Sequence, residues 1–176
     1  MRNNINYQIL SVEERELWPL EEVKNYLRVS HENDDKLIDN LIDASIVYAE
    51  QFLGVNFLIS KIACLIDQAP SYLRLKHNPI VINEVYHILD EEDKKDITKE
   101  FGYMDSDSQK ISIAQEYWQK KIEINYAAGL GDKIPKPVLH GILMHIGMMY
   151  DFGENSVNIL SEIKEIYLPY RHYFRP

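Results

Sequence analysis

Between Asn33 and Gly54 the chain carries the pattern that most restricts how it can fold. Leu37, Ile38, Leu41, Ile42, Ser45, Tyr48, Ala49, Phe52 and Leu53 form one unbroken stripe at helical spacing. Asn33, Asp34 and Asp35 precede it, supplying a cap and first-turn anions that suit the positive end of a helix dipole. Gly54 follows it, where a left-handed residue commonly ends a helix. A helix over this stretch needs an apolar partner surface, and the flanking segments offer two. Upstream, Pro19 suits a first helical turn, and Leu20, Val23, Tyr26 and Leu27 fall on one face. Downstream, Pro135 and Pro137 set a helix start, and Val138, Leu139, Ile142, Leu143, Ile146, Met149 and Tyr150 keep helical spacing. Gly141 and Gly147 weaken that helix by about 1 kcal/mol each relative to Ala, which is tolerable where another element packs close. Gly153 is expected to end it, and Val157–Leu168 gives a last short helix stopped by Pro169.

The middle of the chain has a different period. Ser60–Asp67, Tyr72–Lys76, Ile80–Leu89, Lys110–Ala114 and Lys121–Tyr126 are short apolar-rich runs, the last two alternating at period two. Gln68-Ala69-Pro70-Ser71, His77-Asn78-Pro79 and Asp105–Ser108 break them as turns, and Asp90–Lys95 reads as a solvated hairpin end. The expected fold class is α+β: a mainly helical core of about four helices, with a small antiparallel β region inserted. The helical core covers residues 20–54 and 135–171 and the β-rich insert about 58–127, all within a single domain over 1–176, since 176 residues fit one core.

Composition narrows the function. Acidic side chains outnumber basic ones 28 to 19, a formal charge of −9, which argues against a broad face gripping nucleic-acid phosphates. The charge is uneven: residues 1–53 hold 5 basic and 11 acidic side chains, whereas 135–176 hold 4 of each. The single Cys64 excludes an internal disulfide and a thiolate zinc cage, and fits a reduced, cytosolic folding environment. No apolar run approaches the roughly 20 residues of a membrane span, and Met1–Asn6 has no apolar stretch of a signal peptide, so no membrane role is expected.

The residues that carry chemistry do not converge. His140 and His145 lie five apart on one expected helix, so their side chains diverge by roughly 140° and cannot chelate as an i, i+4 pair would. Asp105-x-Asp107-x-Gln109 with Glu116 echoes a calcium loop, but Lys110 stands where that loop needs glycine. Gly129-Leu130-Gly131 lacks the rest of a phosphate-binding fingerprint, there is no GxSxG elbow, and Cys64 sits in an apolar run with no reason to ionise. Met144, Met148 and Met149 read as core or interface filler. No catalytic residue, no metal ligand and no cofactor is assigned, and an enzyme is not expected. What remains is interaction chemistry: twelve Tyr, and an aromatic-basic tail in which Tyr170, Arg171, Tyr173 and Phe174 form the expected interface residues.

Several stretches, in order, resemble one known pattern. Leu20-Glu21-Glu22-Val23-Lys24-Asn25-Tyr26-Leu27-Arg28-Val29 is similar to the opening of tailed-phage head–tail connector proteins of the gp6-like family. Asn33-Asp34-Asp35-Lys36-Leu37-Ile38 resembles the acidic lead into that family's long helix, which ends here at Glu50-Phe52-Leu53-Gly54. Tyr126-Ala127-Ala128-Gly129 with Ile134-Pro135, then Tyr150, then Leu168-Pro169-Tyr170-Arg171, resemble its later landmarks. The middle segment fits the longer, prophage-type version with a β-rich insert. Asp151-Phe152-Gly153 departs from relatives, which often carry Asn and Arg after the Tyr, so no role of that Arg is carried over.

The resemblance implies a structural virion protein at the head–tail junction, made in the bacterial host cytoplasm. It would form a homo-oligomeric ring of roughly a dozen copies below the portal protein, meet a stopper or tail-completion protein, and extend a channel through which DNA passes without specific binding. A closed ring needs a heterologous interface. The acidic first segment would then repel phosphates along the channel, with Asp34, Asp35 and Asp39 as the expected channel-facing residues. The alternative is a small prophage-encoded adaptor or regulatory module that binds a protein partner without forming a ring.

Overall fold

The structure, a computed structural model, describes residues 4–14, 16–77, 80–90, 93–105, 110–152 and 161–174, with only the backbone of Met104, Asp105, Phe152, His172, Tyr173 and Phe174. Its order is β1 (Ile5–Val12), α1 (Leu20–Leu27), α2 (Asp35–Leu53), β2 (Ser60–Ile66), β3 (Tyr72–Arg74), β4 (Ile80–Ile88), β5 (Lys94–Asp96), β6 (Gly102–Asp105), β7 (Lys110–Ile113), β8 (Ile122–Ala128), α3 (Lys136–Phe152) and α4 (Ser161–Phe174). The fold is α+β, as the change of period along the chain implied. These elements form two compact units, neither continuous in sequence: a β unit of residues 1–13 and 58–131, and a helical unit of 14–57 and 132–175.

The β unit holds two antiparallel sheets. The larger has the order β1-β2-β8-β4-β5 and the smaller β3-β7-β6. Alternation decides which side chains turn inward. Along β2 Ile62, Cys64 and Ile66 are buried, and along β8 Ile122, Ile124, Tyr126 and Ala128 are, while their neighbours stay partly exposed. These residues meet Leu73, Ile111 and Ile113 of the smaller sheet in one apolar cluster. Buried isoleucines of this kind each contribute about 1.5–3 kcal/mol, and their branched Cβ suits a pleated strand. Gly129, at φ 137°, closes the end of β8: a Cβ there would lie 2.3 Å from the Leu58 carbonyl oxygen.

β1 was not expected. Its residues pair antiparallel with β2 from Ile5↔Ile66 to Val12↔Ser60, with the register slipping between Ile9 and Ser11 so that Leu10 is the extra residue of a bulge. The signal was present, since Ile5, Tyr7 and Ile9 alternate at period two before the bulge changes the phase. β6 was missed as well; of the charged run Asp90–Lys95, Glu91 and Glu92 lie outside the described residues, and Lys94 and Lys95 belong to β5, paired with Tyr86–Ile88.

In the helical unit, α2 packs on α3, and α4 and α1 pack on both. Val23, Ile38, Ile42, Ala49, Leu53, Val138, Ile142, Ile146, Ile163 and Tyr167 form its buried faces. Gly54 ends α2 in the left-handed conformation expected of it, at φ 76°, with its N–H on the Glu50 carbonyl at 2.7 Å. The Glu50 carboxylate accepts the Phe57 N–H at 2.6 Å, and its burial raises the pKa of that acid. α4 corrects one expectation. Pro169 lies inside the helix rather than stopping it, because the proline φ is itself helical and only the bond to the Glu165 carbonyl is lost. Pro169 is exposed, so that carbonyl can be hydrated. The expected stop at Gly153 lies outside the described residues.

Candidate functional site

Of the two histidines on α3, His140 is exposed. His145 is buried on α3 with neither ring nitrogen hydrogen-bonded, its ring edge-on to Tyr48 of α2 at 5.5 Å between centroids. Burial lowers its pKa below the usual imidazole value. No group of three or more His, Cys, Asp or Glu among the described residues could hold a metal ion. Cys64 is fully buried in β2, and desolvation raises its thiol pKa to about 11, leaving it an unreactive thiol at neutral pH. One hollow, about 420 Å³, is an open surface dip lined by Leu65, Ile88, Asp90, Asp93, Lys94, Lys121 and Glu123. Within it Lys94 pairs with Glu123 at 3.8 Å, and its lining holds no Ser, Thr, Cys or His. Residues 106–109 of the echoed calcium loop lie outside the described residues.

The three acids expected to face a channel divide into two kinds. Asp34 stands at the N-cap of α2, but its side chain does not cap the helix. Its Oδ2 instead accepts the Tyr150 hydroxyl at 2.6 Å, and this carboxylate is the main cause that raises the tyrosine pKa. Asp35 pairs with Lys24 at 2.6 Å, and Lys24 is itself buried in α1. The Asp35 carboxylate is the leading cause that raises the Lys24 pKa, so the lysine stays charged. Asp39 differs from both, being exposed on the outer face of α2 beside Lys36, Asn40 and Asp43.

The four expected interface residues also separate. Tyr170 and Arg171 belong to α4 rather than to a free tail, and the Arg171 guanidinium lies 5.2 Å from the centre of the Phe52 ring. Phe52 in turn tilts against Tyr167 at 5.9 Å. Arg171 therefore serves its own helical unit. Tyr173 and Phe174 continue the α4 backbone, and their side chains are not among those described.

Exposed apolar side chains mark surfaces that sequence reading passed over. On α2, Leu37 and Val47 are each about half exposed. On β1, Ile9, Leu10 and Val12 are exposed, and on β4 so is Val81. Among the described residues no helix is long and apolar enough to cross a membrane.

The stretches that suggested a family have structural duties in common. Lys24 holds Asp35, Tyr150 holds Asp34, Tyr26 lies beside Gly147, and Gly129 admits the Leu58 carbonyl. Each of these contacts lies within one unit of the fold.

Known proteins resemble the chain in family and in fold. The family model for phage gp6-like head-tail connector proteins matches residues 19–125. No curated protein matches the chain. Among the solved structures that share its fold is a chain in the neck of an empty GTA particle computed with C6 symmetry, with a TM-score of 0.68 and 12% identity over 94% of this chain and 95% of that one. Another, from the virion of a native gene transfer agent (GTA) particle, has a TM-score of 0.68 and 11% identity over 94% of each.

Proposed function

Because the chain belongs to the phage gp6-like head-tail connector family, we propose that it is a structural connector of a tailed phage or prophage, forming a homo-oligomeric ring below the portal protein. The observation that carries this reading is the family match over residues 19–125, and the near-complete fold likeness to a chain of a particle neck supports it. On this reading one side of the ring meets the portal, the other a stopper or tail-completion protein, and DNA passes through the middle. The protein then works in the virion, at the head–tail junction, as a scaffold rather than a catalyst.

The chemistry of the surface is consistent with passage of DNA rather than capture. A net charge of −9 leaves no excess of cations to hold phosphates. Asp39, with Asp43 one turn further along α2, is the proposed channel-facing pair, since Asp34 and Asp35 are committed to Tyr150 and Lys24. The test is removal of the gene from the producing phage or prophage. Heads that fill with DNA but carry no tails, restored by the purified protein, are the expected result, with ring-shaped particles of that protein in negative stain. Normal tailed particles without the gene would overturn the reading.

A further inference from the structure

The edges of the larger sheet are not protected alike, and the difference bears on assembly. An edge strand leaves a row of backbone N–H and C=O groups unpaired, and folded proteins guard such rows with short strands and charges. The β5 edge is guarded in this manner: three residues, Lys94-Lys95-Asp96, all charged and all exposed. β1 is neither short nor charged, and its one guard is the bulge at Leu10. It runs for eight residues, and Asn4–Val12 contains no charged side chain.

Its side chains add to the exposure of its backbone. Ile5 and Tyr7 pack against the core, whereas Ile9 is 55%, Leu10 54% and Val12 48% exposed. Among the described residues no strand pairs with the side of β1 away from β2.

A second open edge lies on β4. β5 covers only Tyr86–Ile88 there, so among the described residues Ile80–Ile82 has β8 on one side and no strand on the other, with Asn83 the extra residue of a bulge. This segment, Ile80-Val81-Ile82-Asn83, is also uncharged, and Val81 is 63% exposed.

We propose that β1 of one copy, through Ile9–Val12, adds as a strand to the open Ile80–Asn83 edge of β4 in a second copy, continuing the larger sheet from subunit to subunit. Backbone edges are completed by another extended chain, which excludes a small ligand, and two uncharged segments can meet without leaving a charge unpaired. The contact joins two different surfaces, so it is heterologous and can close a ring, which an isologous β1·β1 contact cannot. The identity of the partner as a second copy rests on the ring reading above.

The test uses the full chain with Ile9→Lys or Val81→Lys, each placing a charge on one edge at an exposed position. Circular dichroism and thermal midpoints should match the wild type. Light scattering over a range of concentrations should show wild-type association, with each variant weakened by at least about tenfold. An equimolar mixture of the two variants should stop at a dimer, because each pair then retains one intact contact. Unimpaired association of either variant overturns the proposal, and an effect of Ile9→Lys without one of Val81→Lys shows β1·β1 pairing and overturns it too. Rings formed equally by wild type and variants refute only the strand contact. A wild-type chain that stays monomeric on its own and in particles removes the ring reading, and the strand contact with it.

Discussion

Two glycines of α3 show how little of a residue's effect is decided by its helix propensity. Replacing either by Ala should add roughly 0.5–1 kcal/mol through the backbone alone. At Gly147 the added methyl would meet Tyr26 at 3.5 Å and Leu27 at 3.7 Å, which is ordinary contact. Gly147→Ala should therefore stabilise by about that amount. At Gly141 the methyl would lie 2.6 Å from the Tyr167 ring, which is fully buried and cannot swing away. Overpacking of this kind costs about 1–3 kcal/mol, so it outweighs the propensity gain. Thermal or denaturant midpoints should move up for Gly147→Ala and down for Gly141→Ala. Equal shifts in one direction would contradict the packing described. The sequence places both glycines on α3, but only the packing distinguishes them.

At the scale of elements, α2 and its cap at Gly54 were legible because periodicity and stop signal coincide within one segment. What escaped depends on partners distant in sequence. β1 becomes a strand by pairing with β2 across 48 to 61 residues, and its bulge hides the alternation; Lys24 is buried because Asp35 lies beside it. Pro169 misled for a different reason: a proline's lost bond is affordable on an exposed helix face, and exposure is not written in the local sequence. The acids were recognised by type, but their division into engaged Asp34 and Asp35 and exposed Asp39 required the fold. α2 and α3 together also create a pH dependence. His145 is buried without a hydrogen bond, so its folded pKa lies below the 6.5 or so of the unfolded chain. Stability from its neutral form is fully present above that unfolded value and is lost as pH falls toward the folded one, with a slope of at most about 1.4 kcal/mol per pH unit. His145→Leu should reduce the loss of stability between pH 7 and pH 5. His77 and His87 are also shifted down by burial, and their contribution is the same in both proteins, so the difference isolates His145. A parallel decline in wild type and variant would refute the assignment.

For the molecule as a whole, the decisive quantity is where the negative charge resides. Residues 1–53 carry more than twice as many acids as bases, while 135–176 are balanced. Within that acidic segment, charges that form internal pairs have little left for a partner; Asp39 and Asp43 on the outer face of α2 remain exposed. If this face lines the channel, DNA phosphates pass a wall that repels them weakly and leaves them mobile. Asp39→Lys with Asp43→Lys changes the local charge by four per subunit, and a ring multiplies that change by its copy number. Phosphates would then displace counterions to bind lysine, which slows movement most at low salt and fades as screening rises. Particles carrying the double variant should assemble normally and eject DNA several-fold more slowly at low ionic strength, with the difference shrinking in high salt. The salt dependence separates this cause from a damaged fold, which would persist at every ionic strength. An unchanged ejection rate at low salt would place α2 away from the channel while leaving the connector reading untouched.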